Sequence, residues 1–169
     1  MNINLILMKA MKRIIMMTAA LFAVVSSFAM VSCDKYDDGR PSKSVRNEFK
    51  IMYPDARDVE WEAEVGYWVV SFETGTPPLR LDHEAWYDAD ANWIKTVTDY
   101  PVSLVPQDIK DLLSSSEYGT IPLEDREVEF FETSSSGNFY RFDLRQGGRE
   151  IKVDVHTNGA VTPAQYDMM

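Results

Sequence analysis

The side chains best suited to nucleophilic or metal chemistry are few: His83, His156 and a lone cysteine, Cys33. A Cys-His dyad needs a free thiolate beside an imidazole. Cys33 closes an apolar leader, where acylation is expected, so that dyad is not available. Serines are plentiful, but no Gly-x-Ser-x-Gly elbow is present, and most serines fall in loop-like or Ser-rich stretches. No phosphate-cradling or dinucleotide glycine pattern occurs. Zinc calls for a cluster of His and Cys that the chain lacks. Asp88-Ala89-Asp90-Ala91-Asn92 has the alternating spacing of the start of a calcium loop. Trp93 then stands where a glycine is wanted, and no bidentate Glu follows at the required distance. A β-turn in which Asp and Asn bond their own backbone accounts for the same residues. Asp82-His83-Glu84 is a second cluster, but in a strand His83 points away from its two neighbours, so the three do not converge. The expectation is a non-enzyme with no cofactor and no metal.

The N-terminus reads as an address. Lys9, Lys12 and Arg13 precede an apolar run from Ile14 to Ala29, then Met30-Val31-Ser32 and Cys33. That is the charged, apolar and small-residue order of a signal peptide. The apolar run is shorter than the roughly 20 residues a spanning helix needs. Met30-Val31-Ser32-Cys33 resembles a bacterial lipobox, which implies a leader over 1–32 and a membrane anchor through acylated Cys33. Acyl chains contribute about 0.8 kcal/mol per buried methylene, so several hold a protein nearly irreversibly. Residues 33–43, polar and broken by Gly39 and Pro41, read as a flexible acidic tether. The expected location is the envelope of a Gram-negative bacterium, periplasmic or on the outer-membrane surface.

The chain has 17 basic and 27 acidic side chains. The leader holds Lys9, Lys12 and Arg13 and no acidic residue, so its removal takes the formal charge from -10 to -13. A nucleic-acid partner is excluded on this ground, because phosphate neutralisation needs Lys and Arg in quantity. The aromatic content, with Trp61, Trp68, Trp86 and Trp93 behind the leader, calls for a packed core.

Val45, Phe49 and Met52 recur at helical spacing after Ser42 or Ser44, and Pro54 ends the segment. Val59-Glu60-Trp61-Glu62 alternates, Gly66 marks a turn, and Tyr67-Trp68-Val69-Val70-Ser71-Phe72 is rich in strand formers. Leu79 to Tyr87 reads as a third strand, and Trp93-Ile94-Lys95-Thr96-Val97-Thr98 as a fourth. The order then restarts. Val105-Pro106 opens a helix with Ile109, Leu112 and Leu113 on one stripe. Glu127-Val128-Glu129-Phe130-Phe131, Gly137-Asn138-Phe139-Tyr140 and His156-Thr157-Asn158-Gly159 echo the first half at a period near 68 residues. The expected architecture is α+β: a tandem duplication of a helix followed by a four-stranded antiparallel meander, over 44–101 and 102–169, with each helix on one sheet face. Units so small are marginal alone, so they are expected to share a sheet or dock closely.

Tyr53-Pro54-Asp55-Ala56, Val59-Glu60-Trp61-Glu62, Gly66-Tyr67-Trp68-Val69-Val70-Ser71-Phe72 and Tyr87-Asp88-Ala89-Asp90-Ala91-Asn92-Trp93 together resemble the PepSY-like, β-lactamase-inhibitor-like family of exported bacterial proteins. The resemblance runs over most of 44–161. It departs at Ala91, where the family often has Gly, and at Pro77-Pro78, which lengthens a hairpin loop. It implies an inhibitor-like fold; a shared fold does not by itself carry inhibition.

Tyr67 beside Trp68, and Trp86 beside Tyr87, cannot all point to one sheet face. One of each pair is expected on the face away from the helices, where exposed aromatics make a partner surface. Tyr67, Trp68, Trp86 and Tyr87 are therefore the candidate binding residues, for an envelope protein or peptide. The alternative reading is a small-ligand or calcium sensor that uses the acidic turns.

Overall fold

The structure, a computed structural model, describes Lys35–Tyr36 and residues 39–165. The leader and Cys33 lie outside the described residues, so the expectations placed on them are not addressed by the fold.

Among the described residues, nine strands form one sheet in sequence order. β1 (Lys35–Tyr36) lies parallel to β2, opposite Glu60 and Trp61, within the stretch expected to be a tether. β2 (Arg57–Glu64), β3 (Tyr67–Thr76), β4 (Leu79–Asp88) and β5 (Trp93–Pro101) then run as an antiparallel meander. A short 3-10 turn (Val102–Leu104) and a helix bring the chain back to β6 (Glu127–Thr133), β7 (Phe139–Gln146), β8 (Arg149–His156) and β9 (Val161–Pro163). Helix α1 (Lys43–Met52) precedes the first strand of the meander, and α2 (Gln107–Ser115) lies between β5 and β6.

The expected pair of α+β units, each with its own four-stranded meander, is overturned. β5 pairs with β6 in unbroken register from Lys95 opposite Thr133 to Pro101 opposite Glu127. An edge left open at β5 would present a row of unpaired amides and carbonyls. Pairing it with β6 satisfies them and carries the sheet on without a division. Among the described residues the helices are only ten and nine residues long, so this part of the chain is mostly β, a single sheet that is antiparallel apart from the β1–β2 pair, with two short helices.

α1 starts where Ser42 accepts from the amide of Val45 at 3.3 Å, satisfying one of the orphan N–H groups of its first turn. It buries Val45 and Phe49 against Val59, Trp61, Val70, Phe72, Ala85 and Tyr87. α2 follows Pro106, which cannot donate and is tolerated ahead of a first turn. It sets Ile109 against Val128, Tyr140, Phe142, Leu144, Val153 and Val155. The cross-strand registers place both clusters on the same face of the sheet. Between them runs a polar seam. Thr96, wholly buried, shares a 2.6 Å hydrogen bond with the Tyr53 hydroxyl and accepts from Trp93 Nε1 at 2.9 Å. Thr98 bonds His83 Nδ1 at 2.8 Å, and His83 Nε2 bonds Thr74 at 2.7 Å. Every hydroxyl in the seam has a partner, which is how a sheet tolerates threonines at its centre.

Candidate binding face

The two described helices cover one face of the sheet; the other, called the open face because neither of them covers it, has a composition that follows from strand parity. Val70, Phe72, Ala85 and Tyr87 pack under α1, so the alternating residues Tyr67, Val69, Ser71 and Glu73 of β3 face the other way. Their neighbours across β4 are Asp88, Trp86, Glu84 and Asp82. The expected quartet is thereby split. Tyr67 and Trp86 lie half-buried on the open face. Trp68 packs at the margin of the α1 core, and Tyr87 is fully buried there. Burial raises the Tyr87 hydroxyl well above the ordinary tyrosine range, and that hydroxyl donates to Met52 Sδ at 3.6 Å.

Read across the strands, the open face is built of rows. One row is Val69, Trp86 and Lys95, with the Lys95 ammonium 4.4 Å above the Trp86 ring. The next is Glu60, Ser71, Glu84, Val97, Phe131 and Phe139. Phe131 and Phe139 stack at 4.6 Å, and both are almost fully buried. The third row is Glu73, Asp82, Asp99, Glu129, Arg141 and Asp154, with Asp82 and Asp99 one step beyond the registered pair His83–Thr98. Arg141 holds Asp154 through two hydrogen bonds, Nε to Oδ1 at 2.8 Å and Nη2 to Oδ2 at 3.1 Å. Its guanidinium lies 4.6 Å over the Phe131 ring. Both partners are buried, and the pair ties β7 to β8 under the open face.

A cleft of about 510 Å³ runs over Glu60, Ser71, Asp82, Glu84, Val97 and Asp99. A second, of about 580 Å³, adjoins it through Asp99 and Glu129 and continues to Arg141 and Asp143. The face is acidic, and the acids crowd one another. Glu84 is raised above the usual carboxylate range by burial and then by Asp99 and Glu62, with Lys95 acting the other way. Asp99 is raised by burial and by Asp82. Glu129 is raised by burial, with Lys152 and Arg141 opposing.

The remaining sequence candidates separate from this face. Strand parity turns the His83 side chain to the helix side, stacked on Phe72 at 4.8 Å, and Asp82 and Glu84 to the other, although His83 and Phe72 also border the cleft. Burial lowers the His83 pKa, so the neutral ring is favoured. The Asp88 carboxylate accepts from the amides of Asp90 and Asn92 and from Asn92 Nδ2, all within 2.9 Å. Those bonds hold its pKa low, and they satisfy the acid from inside its own turn. Among the described residues, no three His, Cys, Asp or Glu side chains are placed to hold one metal ion. Sequence reasoning missed Phe131, Phe139, Arg141 and Asp154. Their alternation was visible in Glu129-Phe130-Phe131 and Phe139-Tyr140-Arg141, but the register that aligns them with Val97 and Glu129 was not.

The arrangement of one mostly antiparallel sheet with helices on one face is similar to a β-lactamase-inhibitor-like fold. The solved structures that it resembles bear this out. A BLIP-like protein from Bacteroides fragilis matches with a TM-score of 0.61 at 22% identity, over 75% of this chain and 85% of that one. A DUF2874 family protein from Bacteroides ovatus matches with a TM-score of 0.63 at 19% identity, over 78% of this chain and 94% of that one. A candidate periplasmic protein from Bacteroides eggerthii matches with a TM-score of 0.60 at 19% identity, over 74% and 90%. None of these is described as an enzyme. No family model and no curated protein matches the chain.

Proposed function

We propose that this protein is a non-enzymatic binding module of the cell envelope that presents its open sheet face to a protein or peptide and, where the partner is an enzyme, inhibits it by covering the active site. The observation that carries the reading is the placement of Tyr67 and Trp86, half-buried, on the sheet face that neither described helix covers. Aromatic side chains on a rigid sheet are effective anchors, because burying them takes much area from water and immobilises few torsions. The inhibitor-like and periplasmic descriptions of the structural neighbours support the same assignment. In this reading residues 1–32 are a leader, Cys33 carries the lipid, and the anchored module meets its partner at the membrane.

Affinity capture from envelope extract of the source cell tests it. The full chain should retain a specific protein that the Tyr67→Ala/Trp86→Ala variant does not, and the purified captive should titrate against the chain with one-to-one saturation. Equal capture by both forms would remove the aromatic face from the account.

A further inference from the structure

The two ends of the sheet differ. β1 runs parallel to β2, with Lys35 opposite Glu60 and Tyr36 opposite Trp61, so the chain enters β1 from the Arg57 end of β2. Register carries that end across the sheet. It holds the 77–78 turn between β3 and β4, the 3-10 turn after β5, Leu123 bridged to Leu144 of β7, and the 147–148 turn between β7 and β8. Large apolar side chains stand exposed there: Leu79 at 44%, Leu104 at 41% and Leu123 at 42%. Leu123 also borders an apolar groove of about 240 Å³ with Leu113, Ile121 and Phe142. Of the other large apolar residues exposed among those described, Ile51 and Met52 belong to α1, and Val65 alone stands at the opposite end. Charge divides the same way. Arg80, Arg126, Arg145 and Arg149 stand at the Arg57 end. Glu124, Asp125, Glu127 and Glu150 balance them, and Arg80 and Arg145 are paired to Glu73 and Glu124. The turns at the other end, 65–66, 89–92, 134–138 and 157–160, hold no Lys or Arg, and Glu62, Glu64, Asp88 and Asp90 lie in or beside them. The Arg57 end is therefore near neutral in an acidic protein, and an anionic lipid surface repels it least.

The lipid-bearing residue of the proposed function falls at the same end. Cys33 precedes Lys35 by two residues, and two residues of extended chain reach about 7 Å at most. β1 is paired into the sheet, so the anchor is held close to its edge. β4, which ends in Leu79, lies three strands away, about 14 Å at the usual spacing. We propose that the protein rests on the membrane that anchors it through the Arg57 end of the sheet, with Leu79, Leu104 and Leu123 in the lipid interface. The inference rests on the reading of Cys33 as the lipid carrier and adds the orientation of the module. Each of the three leucines takes its own apolar area from water on contact and so adds to the acyl anchor. The strands then stand on the bilayer, and the open face is turned sideways. Tyr67 and Trp86, towards the far end of β3 and β4, stay clear of the lipid and free to meet an envelope partner.

The test uses the full chain, expressed with its leader in a host that processes lipoproteins and reconstituted into vesicles of phosphatidylethanolamine and phosphatidylglycerol. An acylated cysteine has no thiolate to offer a maleimide, so a cysteine introduced elsewhere is labelled alone. Leu79→Cys, Leu123→Cys and Val65→Cys are made singly, all at exposed positions, and each receives a maleimide NBD dye. Lipid carrying a nitroxide is the quencher. The dye at positions 79 and 123 should shift to the blue on reconstitution and lose intensity to the quencher; the dye at position 65 should do neither. Equal quenching at all three positions, or quenching at position 65 alone, would overturn the proposal. So would the absence of quenching at positions 79 and 123 in protein that floats with the vesicles; that outcome leaves the lipid on Cys33 standing. Labelling of the wild type by the dye would mean a free Cys33, which overturns the lipid reading and this orientation with it but leaves partner capture by Tyr67 and Trp86 untouched. Melting temperatures of the labelled variants, expected to match wild type, separate a change of orientation from a loss of fold.

Discussion

The Arg141–Asp154 pair sets a stringent test of how the open face is built. Its side chains are 9% and 8% exposed and are joined by two charge-assisted bonds of 2.8 and 3.1 Å. Replacing Asp154 with alanine takes the bidentate carboxylate from a guanidinium that stays largely out of water. Breaking a buried pair from one side typically costs about 3–5 kcal/mol. For a domain of this size, about 3 °C is lost per kcal/mol, so the melting temperature should fall by about 10–15 °C. Replacing both partners with apolar residues of similar volume, Arg141→Met with Asp154→Leu, removes the stranded charge along with the pair. That double variant should return to within about 1 kcal/mol of wild type, since a well-packed apolar replacement of a buried pair is often neutral or better. Urea unfolding of the three proteins at pH 7 supplies the numbers, with unchanged slopes as the check that the unfolded states are comparable. The reasoning is refuted if Asp154→Ala loses less than about 1 kcal/mol, which would mean that Glu129 or solvent replaces the carboxylate. It is refuted equally if the double variant is no more stable than the single one.

Further predictions follow from the crowded carboxylates, the threonine seam and the chain's N-terminus. Glu84, Asp99 and Glu129 have raised pKa values in the folded state, so the folded protein binds protons more readily than the unfolded one and their charged forms destabilise it near neutral pH. The Glu84→Gln/Asp99→Asn/Glu129→Gln variant should melt higher than wild type at pH 7, and the gap should close as pH falls into the ordinary carboxylate range; comparing the two proteins by melting cancels the opposite contributions of His83 and Asp88. Thr96→Val strands the Tyr53 hydroxyl and the Trp93 indole N–H in a buried seam and should cost about 1–3 kcal/mol in denaturant titration. Gly119→Ala would set a Cβ 2.1 Å from the Ser114 carbonyl oxygen and force the end of α2 to move, for a loss of about 1–3 kcal/mol by the same assay. Cys33→Ser should shift the protein from the membrane to the soluble fraction on cell fractionation if the cysteine bears the lipid.

Much of the local structure was legible in the sequence, because local structure is written in short-range pattern. Ser42 and the Val45–Phe49 spacing mark α1, and Pro106 with Ile109 marks α2. Period-two alternation at Val59 and Trp61 marks β2, and Gly66, with φ near 84°, marks the turn into β3. The assembly was legible only as a choice between a shared sheet and two docked units. The pairing of β5 with β6 joins residues separated by a helix and a long connection, and nothing local in Lys95 or Thr133 announces the other. That single pairing decides between two small sheets and one large one. The binding face was half legible for a related reason. Alternation says that Tyr67 and Trp68 must part, as must Trp86 and Tyr87. Which member turns outward is fixed only by the packing of Val70, Phe72 and Tyr87 beneath α1. The carboxylate rows were hidden for the same cause: Glu73, Asp82, Asp99 and Glu129 are far apart in the chain and become neighbours only through register.

The central claim, that the open face and not the helix face meets the partner, is tested most directly by site-specific photo-crosslinking to the captured envelope protein. A benzophenone side chain is placed at Tyr67, on the open face, and in a separate protein at Tyr118, which packs beside the α2 core. The account predicts a covalent adduct from position 67 and none from position 118. Adducts from position 118, or from neither position while the partner is still bound, would contradict it.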